Sequence, residues 1–478
     1  MKLSRLIECG RDVDITGISV DSRTVEKGNL FVCIAGEQYD GHDFVREAIS
    51  RGAAAVVTER RMGVEGEIVV SSTRKAASQM FSRWYNEPQK RLRVFGVTGT
   101  NGKTSTVAIL DAIYRECGYK TGVMGTIGSR WNNTFQASDN TTAPPEVLFP
   151  MLNEMVISGV ETLFMEVSSH ALSLDRVSEI FFDYGVYTNL TRDHLDFHRT
   201  MDEYAAAKER LFSQTRVGVF NCDDVYSYIA SQRCSCTPVR FGSRVGSELR
   251  LVQVFKQDLE GSFFSVNYQG NQYLFSSPLA GEFNLYNLLA AITVAMHDGV
   301  DYSVIAKAVS EFRGAKGRME KVYEGLFTVF IDYAHTPDAL TRVLKTLAAE
   351  NPKRLRVVFG CGGDRDKGKR PIMGRVAQEL ANDVIVTADN SRGEPLDTIL
   401  DDIVSGMSQT KDEISFKVIR DRRKALEYVI QTALPGDVIL VAGKGHEEYE
   451  IDCSGRHSFS ERSILLSHLK TCGFLGSI

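Results

Sequence analysis

The chain has 478 residues, of which 43% are hydrophobic and 24% charged, and a net charge of −5. That length suits about two to four domains, and the composition is ordinary for a globular protein. The mildly acidic balance gives no reason to expect nucleic acid or an acidic membrane surface as a partner, and no apolar run approaches the roughly 18 residues of a spanning helix.

Residues 1–88 read as a small α/β unit, with strands at 29–35, 53–57 and 68–70 and a helix at 42–52. A charged connector, QKRL, follows at 89–92. From Arg93 the pattern becomes strand, loop, helix, repeated. Strands are expected at 94–97, 121–124, 162–165, 184–187 and 217–220, with helices such as 104–117 and 145–158 between them. This alternation argues for a mostly parallel sheet covered by helices. Alternating apolar and polar residues over 247–280 predict an antiparallel insert or edge hairpin. EFRGAKG at 311–317 marks the next boundary, and the rhythm then restarts with strands at 328–331, 356–359, 384–387, 416–419 and 438–441. The expected fold class is α/β in three domains: a small N-terminal α/β domain (1–88), a central P-loop ATPase-type parallel sheet (89–313) and a C-terminal Rossmann-like domain (314–478).

Nine cysteines are scattered through the chain without a C-x-x-C pair. This fits a reducing compartment and argues against a disulfide framework or a zinc site. The opening MKLSRLIECGRDVD has no apolar signal region, so a cytoplasmic location is expected.

Seven of the expected strands end in polar clusters: TGTNGKT, MEVSSH, TNLTRDHLDFH, DYAHTPD, GCGGDRDKGKR, TADNSR and AGKGHEE. In open α/β sheets, ligands bind beyond the carboxyl ends of the strands. The first cluster contains Gly99-Thr100-Asn101-Gly102-Lys103-Thr104, after a strand and at the start of a helix. The glycines permit a tight turn, and the freed N–H groups with the helix N-terminus favour phosphate oxygens. Lys103 would reach the outer phosphates and the Thr104 hydroxyl would ligate Mg²⁺. Val97 stands where the first Gly of the full P-loop spacing belongs, and an ordinary Gly-rich turn is the alternative. No N-K-x-D guanine motif is present, so ATP is the expected nucleotide.

Glu166 closes the 162–165 strand and, with Thr104, suits a hard Mg²⁺ that takes few protein ligands. His194, in RDHLDFH, is a less usual ligand for that ion, and a hydrogen-bonded loop histidine is the alternative. Lys208, in DEYAAAKERLF, reads by default as a solvent-facing helix lysine.

Taken together, these motifs resemble the Mur ligase family of peptidoglycan synthesis over essentially the whole chain. The carriers are GTNGKT (99–104), MEVSSH (165–170), TNLTRDHLDFH (188–198), YAAAK (204–208), GEFNLYN (281–287), GRMEKV (317–322), DYAHTPD (332–338), GCGGDRDKGKRP (360–371) and GKGHE (443–447). The resemblance implies an ATP-dependent ligase using Mg²⁺, which phosphorylates the D-Glu side-chain carboxylate of UDP-MurNAc-L-Ala-D-Glu and then admits an amino acid. Lys103, Glu166, His194, Lys208 (carbamoylated) and Arg318 would be catalytic, and Thr104, Glu166, His194 and Lys208 would serve the metal. Asn287, Arg318, Asp332 and His335 would join the loop in binding ATP. Ser22, Asn140, Thr141, Thr142, Ser168 and Arg176 would bind the nucleotide sugar. Leu174 stands where many members carry Gln, so one substrate hydrogen bond of those relatives has no counterpart side chain here.

Arg365, Asp389, Asn390, Ser391, Arg392, Gly443 and Glu447 match the family's amino-acid contacts. Members that add meso-diaminopimelate carry Asp-Asn-Pro-Arg where this chain has Asp389-Asn390-Ser391-Arg392, and their Arg forks onto the distal carboxylate. Such a pair is directional as well as strong. Arg392 therefore favours meso-diaminopimelate over L-lysine or L-ornithine, and Ser391 in place of Pro bears on loop stiffness rather than charge. A monomer acting on small molecules is expected. Two rival readings are a folylpolyglutamate synthase-type ligase and a non-catalytic nucleotide-gated binding protein.

Overall fold

The computed structural model describes residues 1–9, 12–36, 39–408 and 415–475. The N-terminal sheet is wholly parallel, in the order Gly17–Ser19, Asn29–Val32, Ala55–Thr58, Glu67–Val69. Its two middle strands, NLFV and AVVT, are buried at every position, as a parallel strand covered on both faces must be. The expected 42–52 helix is shorter. The Asp40 side chain accepts from His42 N and starts a tight 3-10 turn, Gly41–Phe44, which leads into the helix Val45–Ser50.

The central sheet has eleven strands. Strand Arg93–Thr98 runs parallel between Phe182–Tyr187 and Thr162–Glu166. The loop at 99–102 therefore leaves the middle of the sheet, flanked by the ends of the strands that carry MEVSSH and TNLTRD. Thr121–Gly125, Thr215–Asn221 and Thr237–Gly242 complete the parallel part. The alternating segment after residue 247 forms the expected antiparallel insert, Leu249–Asp258, Gly261–Tyr268 and Asn271–Ser277, along one edge. A hairpin at the other edge, Gly128–Trp131 and Thr134–Gln136, was not expected. Its strands are too short for alternation to register.

Helix Lys103–Glu116 packs on the central sheet with Glu282–His297, whose apolar face extends nearly all round and is correspondingly buried. The C-terminal sheet has the order Glu320–Glu324, Thr328–Asp332, Asp437–Ala442, Arg354–Phe359, Asp383–Val386, Ser415–Val418. Only its first pair is antiparallel. DYAHTPD, AGKGHEE, GCGGDRDKGKR and TADNSR thus leave four adjacent strands at one end.

The two large sheets meet at these ends. Arg318 Nη2 donates to Thr104 Oγ1 (3.0 Å), Asn101 Nδ2 to Asp338 Oδ2 (3.1 Å), and the His446 Nε2 lies 3.2 Å from the Thr126 carbonyl. No helix among the described residues is long and apolar enough to cross a membrane.

Candidate active site

A cleft of about 750 Å³ follows the seam between the two large sheets. Its floor is the Gly99–Thr104 loop. Gly99 (φ +145°) and Gly102 (φ +89°) both occupy conformations that side chains disfavour, and an added Cβ would overlap Thr188 Oγ1 at the first and Asn287 Oδ1 at the second. Gly99→Ala should therefore cost about 1–3 kcal/mol of stability and weaken nucleotide binding. Unchanged melting together with an unchanged nucleotide Kd would remove this steric role.

Lys103 folds back on its own loop, donating to the carbonyls of Gly99 and Thr100 (both 2.9 Å). Lys208 is not solvent-facing. It is 1% exposed, and its Nζ donates to the same Gly99 carbonyl at 2.9 Å. Burial, and then the charge of Lys103, push the Lys208 amine well below the ordinary lysine range. Two ammonium groups on one buried carbonyl repel each other, and a neutral Lys208 relieves that repulsion.

Thr104 Oγ1 donates to Glu166 Oε1 (3.0 Å). The Glu166 carboxylate also accepts from Thr126 N (2.8 Å) and Thr126 Oγ1 (3.1 Å), so it is oriented from both sides. His194 takes a left-handed conformation (φ +54°) at the start of the short helix Leu195–His198. Its Nε2 lies 3.4 Å from Asp193 Oδ2. Burial pulls the imidazole down to about 3, although Asp193 opposes that shift. His194 is thus a neutral ring near pH 7. Among the described residues, no three His, Cys, Asp or Glu side chains form a ready-made metal cage.

From the C-terminal side, Arg318 lies 4.4 Å over the Tyr333 ring and reaches Thr104. Asp332 accepts from Met319 N and Ala334 N (both 2.7 Å), tying GRMEKV to DYAHTPD. His335 Nδ1 lies 2.8 Å from the Tyr333 carbonyl, and its Nε2 is 3.9 Å from Asp193. Asn287 and His335 both line the cleft.

A second group lies beside Glu166. Arg176 Nη1 donates to Thr142 O (2.8 Å) and Asn140 Oδ1 (3.2 Å). Thr142 Oγ1 donates to the Glu166 carbonyl (2.8 Å) and accepts from Ser168 N (3.0 Å), while Thr141 meets Thr126 hydroxyl to hydroxyl at 3.0 Å. Ser22 stands apart from this group. It lies in the N-terminal unit and donates to Glu47 at 3.1 Å. Leu174 follows the helix Ser169–Ser173 as its C-terminal cap.

The third group is entirely C-terminal. Asn390 Nδ2 donates to Glu447 Oε2 (2.8 Å), and Lys444 Nζ donates to Asn390 Oδ1 (2.8 Å). Burial would raise Asp389, but Lys444 and Arg422 hold it below the usual carboxylate range. Burial and Asp389 raise Glu447. Arg392 is left-handed (φ +52°), its N–H donates to Ile451 O (3.0 Å), and its Nη1 donates to Gly363 O (2.9 Å). These bonds brace the loop without the proline that Ser391 replaces. Burial and then the neighbouring Arg365 disfavour the Arg392 charge, while the carboxylates of Asp389 and Glu447 favour it. An added Cβ on Gly443 (φ +113°) would crowd Asp389.

Three family models match in chain order: "Mur ligase family, catalytic domain" over residues 14–94, "Mur ligase middle domain" over 97–295 and "Mur ligase, glutamate ligase domain" over 317–445. The chain belongs to the Mur ligase family. It is 40% identical to the UDP-N-acetylmuramoyl-L-alanyl-D-glutamate–2,6-diaminopimelate ligase of Syntrophomonas wolfei, over 96% of this chain and 95% of that one. It is also 40% identical to the ligase of the same name from Geobacillus kaustophilus, over 97% and 96%. A solved structure titled as a UDP-N-acetylmuramoyl-L-alanyl-D-glutamate–2,6-diaminopimelate ligase matches with a TM-score of 0.70 and 32% identity, covering 99% of each chain.

Within this Mur ligase, sequence reasoning passed over Asp193, Tyr333, Thr126 and His446. Asp193 and Tyr333 lie inside clusters already singled out, next to His194 and Asp332. His446 likewise lies in the GKGHE cluster, next to Glu447, whereas Thr126 lies outside every cluster and meets His446 only across the seam.

Proposed function

We propose that this chain is an ATP-dependent ligase that adds meso-diaminopimelate to the D-Glu side-chain carboxylate of UDP-MurNAc-L-Ala-D-Glu, in cytoplasmic peptidoglycan precursor synthesis. The observation that carries this reading is the Arg392–Arg365 pair beside Glu447, on the sheet end that faces the phosphate loop. Paired guanidiniums suit a carboxylate and Glu447 suits an ammonium, and diaminopimelate has both at its distal end. In this reading residues 1–88 hold the nucleotide sugar, 89–313 bind ATP and 314–478 present the amino acid. The three units meet within one chain, so a monomer suffices.

The donors on the central side fit Mg²⁺. Thr104 and Glu166 offer oxygen, His194 is neutral, and the shortage of protein ligands matches an ion that shares its shell with phosphates and water. A lysine ammonium does not fit, but the buried Lys208, pushed toward its neutral form, can add CO₂ and lose a proton to become an oxygen-bearing carbamate. When bound, Mg²⁺ would supply charge neutralisation for the transferring phosphoryl group.

ATP transfers its γ-phosphoryl to a carboxylate oxygen, giving an acyl phosphate and ADP. The amine then attacks the acyl carbon, the C–O bond to phosphate breaks, and a proton leaves the new amide nitrogen. A free carboxylate offers no comparable leaving group. Lys103 releases its loop carbonyls to meet the phosphates, while Arg318 approaches them from the opposite side. Asn287, Asp332 and His335 position the nucleotide, and Asn140, Thr141, Thr142, Ser168, Arg176 and Ser22 position the nucleotide sugar. Most of the catalytic effect is placement and fixed charge.

The test is ADP release by the purified protein with ATP, Mg²⁺ and UDP-MurNAc-L-Ala-D-Glu, comparing meso-diaminopimelate, L-lysine and L-ornithine, with the product mass determined. Release that needs both the dipeptide and diaminopimelate is expected. Preference for a diamine would overturn the amino-acid assignment. Release independent of both acceptors would overturn the ligase reading in favour of a nucleotide-gated protein.

A further inference from the structure

The geometry points to Arg192 and Asp366 as positioning residues, whose ion pair clasps the C-terminal unit onto the central one. Arg192 Nε lies 3.6 Å from Asp366 Oδ2. Neither residue belongs to the groups assigned above, yet each adjoins one of them. Arg192 precedes Asp193 and His194 on the loop after strand Phe182–Tyr187, and Asp366 follows Arg365 on the loop after strand Arg354–Phe359. One ion pair therefore joins the loop beside the phosphates to the loop beside the incoming amino acid.

The surroundings are shaped for this contact. Asp366 Oδ1 accepts from Gly368 N (2.8 Å), which aims the carboxylate, while Oδ2 is buried and makes no hydrogen bond among the described residues. The Arg192 guanidinium is the charge that faces that oxygen. At Gly368 a Cβ would come within 2.9 Å of Arg192 Nη2, so the absence of a side chain leaves room for the arginine. The neighbouring crossing repeats the pattern, with Asp193 of the central unit 3.9 Å from His335 of the C-terminal one. The central loop offers positive then negative, and the facing loops answer with negative and a histidine.

The asymmetry of exposure fits a contact made on closure. The Arg192 side chain is 51% exposed and can follow the moving unit, whereas Asp366 is 12% exposed and held in place. Opening the seam would leave the carboxylate without its counter-charge, so the pair favours the closed arrangement. Its effect on turnover rests on the ligase reading, because closure brings the amine to the acyl phosphate. The clasp itself does not.

The experiment compares Arg192→Asp, Asp366→Arg and the double swap with the unaltered full-length protein. Small-angle scattering, with ATP and Mg²⁺ present, reads closure directly. Each single variant should show a larger radius of gyration, and the swap should return toward the original value. In the ligase assay each single variant should lower kcat by about three- to tenfold, with the nucleotide Kd unchanged and partial recovery in the swap. Singles that scatter like the original protein, or a swap no more compact than the worse single, would overturn the clasp. If the unaltered protein releases no ADP while the scattering follows the swap, the ligase reading falls and the clasp stands.

Discussion

Lys208→Ala should lower turnover by about a hundredfold or more, with the fold and nucleotide binding largely kept. The argument begins with burial. A lysine 1% exposed, on a carbonyl that another lysine already occupies, is pushed toward its neutral form. A neutral amine is the nucleophile that CO₂ requires, and the resulting carbamate carries two oxygens close to the phosphate loop. Alanine removes those oxygens and leaves a space that formate or acetate can enter. Millimolar amounts of such a carboxylate should therefore restore part of the activity in Lys208→Ala. Lys208→Arg should be inactive and not rescued, since a guanidinium neither loses its charge nor leaves room. Mass spectrometry under bicarbonate should also find the carbamate on the original protein. Full activity in the alanine variant would overturn this role.

Arg392→Ala should lower kcat/KM for meso-diaminopimelate by about a hundredfold or more, because it removes a bidentate, charge-assisted contact and leaves a substrate carboxylate unpaired. ATP binding should be unaffected, since Arg392 is held by Gly363, Asn390 and Ile451, away from the phosphate loop. L-lysine has no distal carboxylate, so whatever turnover it supports should change little. The variant therefore separates two readings that look alike in the structure. If Arg392 only braces its own loop, melting temperature and turnover with both amino acids should fall together. If it reads the carboxylate, the loss should be confined to diaminopimelate. Ser391→Pro provides the complement: the loop is already braced by backbone bonds, so proline should change specificity little.

Much of the architecture was legible because hydrophobic alternation is a local property. The strands of the central and C-terminal sheets lie close to where apolar runs end in polar clusters, and the alternating stretch after residue 247 is antiparallel. The short hairpin at 128–136, the strand Glu320–Glu324 and the ribbon of Tyr449–Asp452 with Gly455–Ser458 were not legible. Each is short, and each is set by the partner it pairs with rather than by its own pattern. The phosphate loop was readable for the opposite reason: glycine spacing, a preceding strand and a following helix all lie within a dozen residues.

The three-part α/β plan, the loop at 99–104 and the clusters that belong to a ligase of this family can all be read from residue order alone. These are short-range signals, in which neighbouring residues carry the meaning. Folding in three dimensions was needed to learn which clusters face one another, that Lys208 is buried against Gly99, and that Thr126 orients Glu166 while meeting His446 across the seam. Those outcomes depend on strand order and on how two separate sheets dock, and residues far apart in the chain carry no local trace of either. Lys208 shows the difference most plainly. Its helix reads as an ordinary exposed one, and only the packing of that helix beneath the phosphate loop removes the water that would otherwise keep the lysine charged.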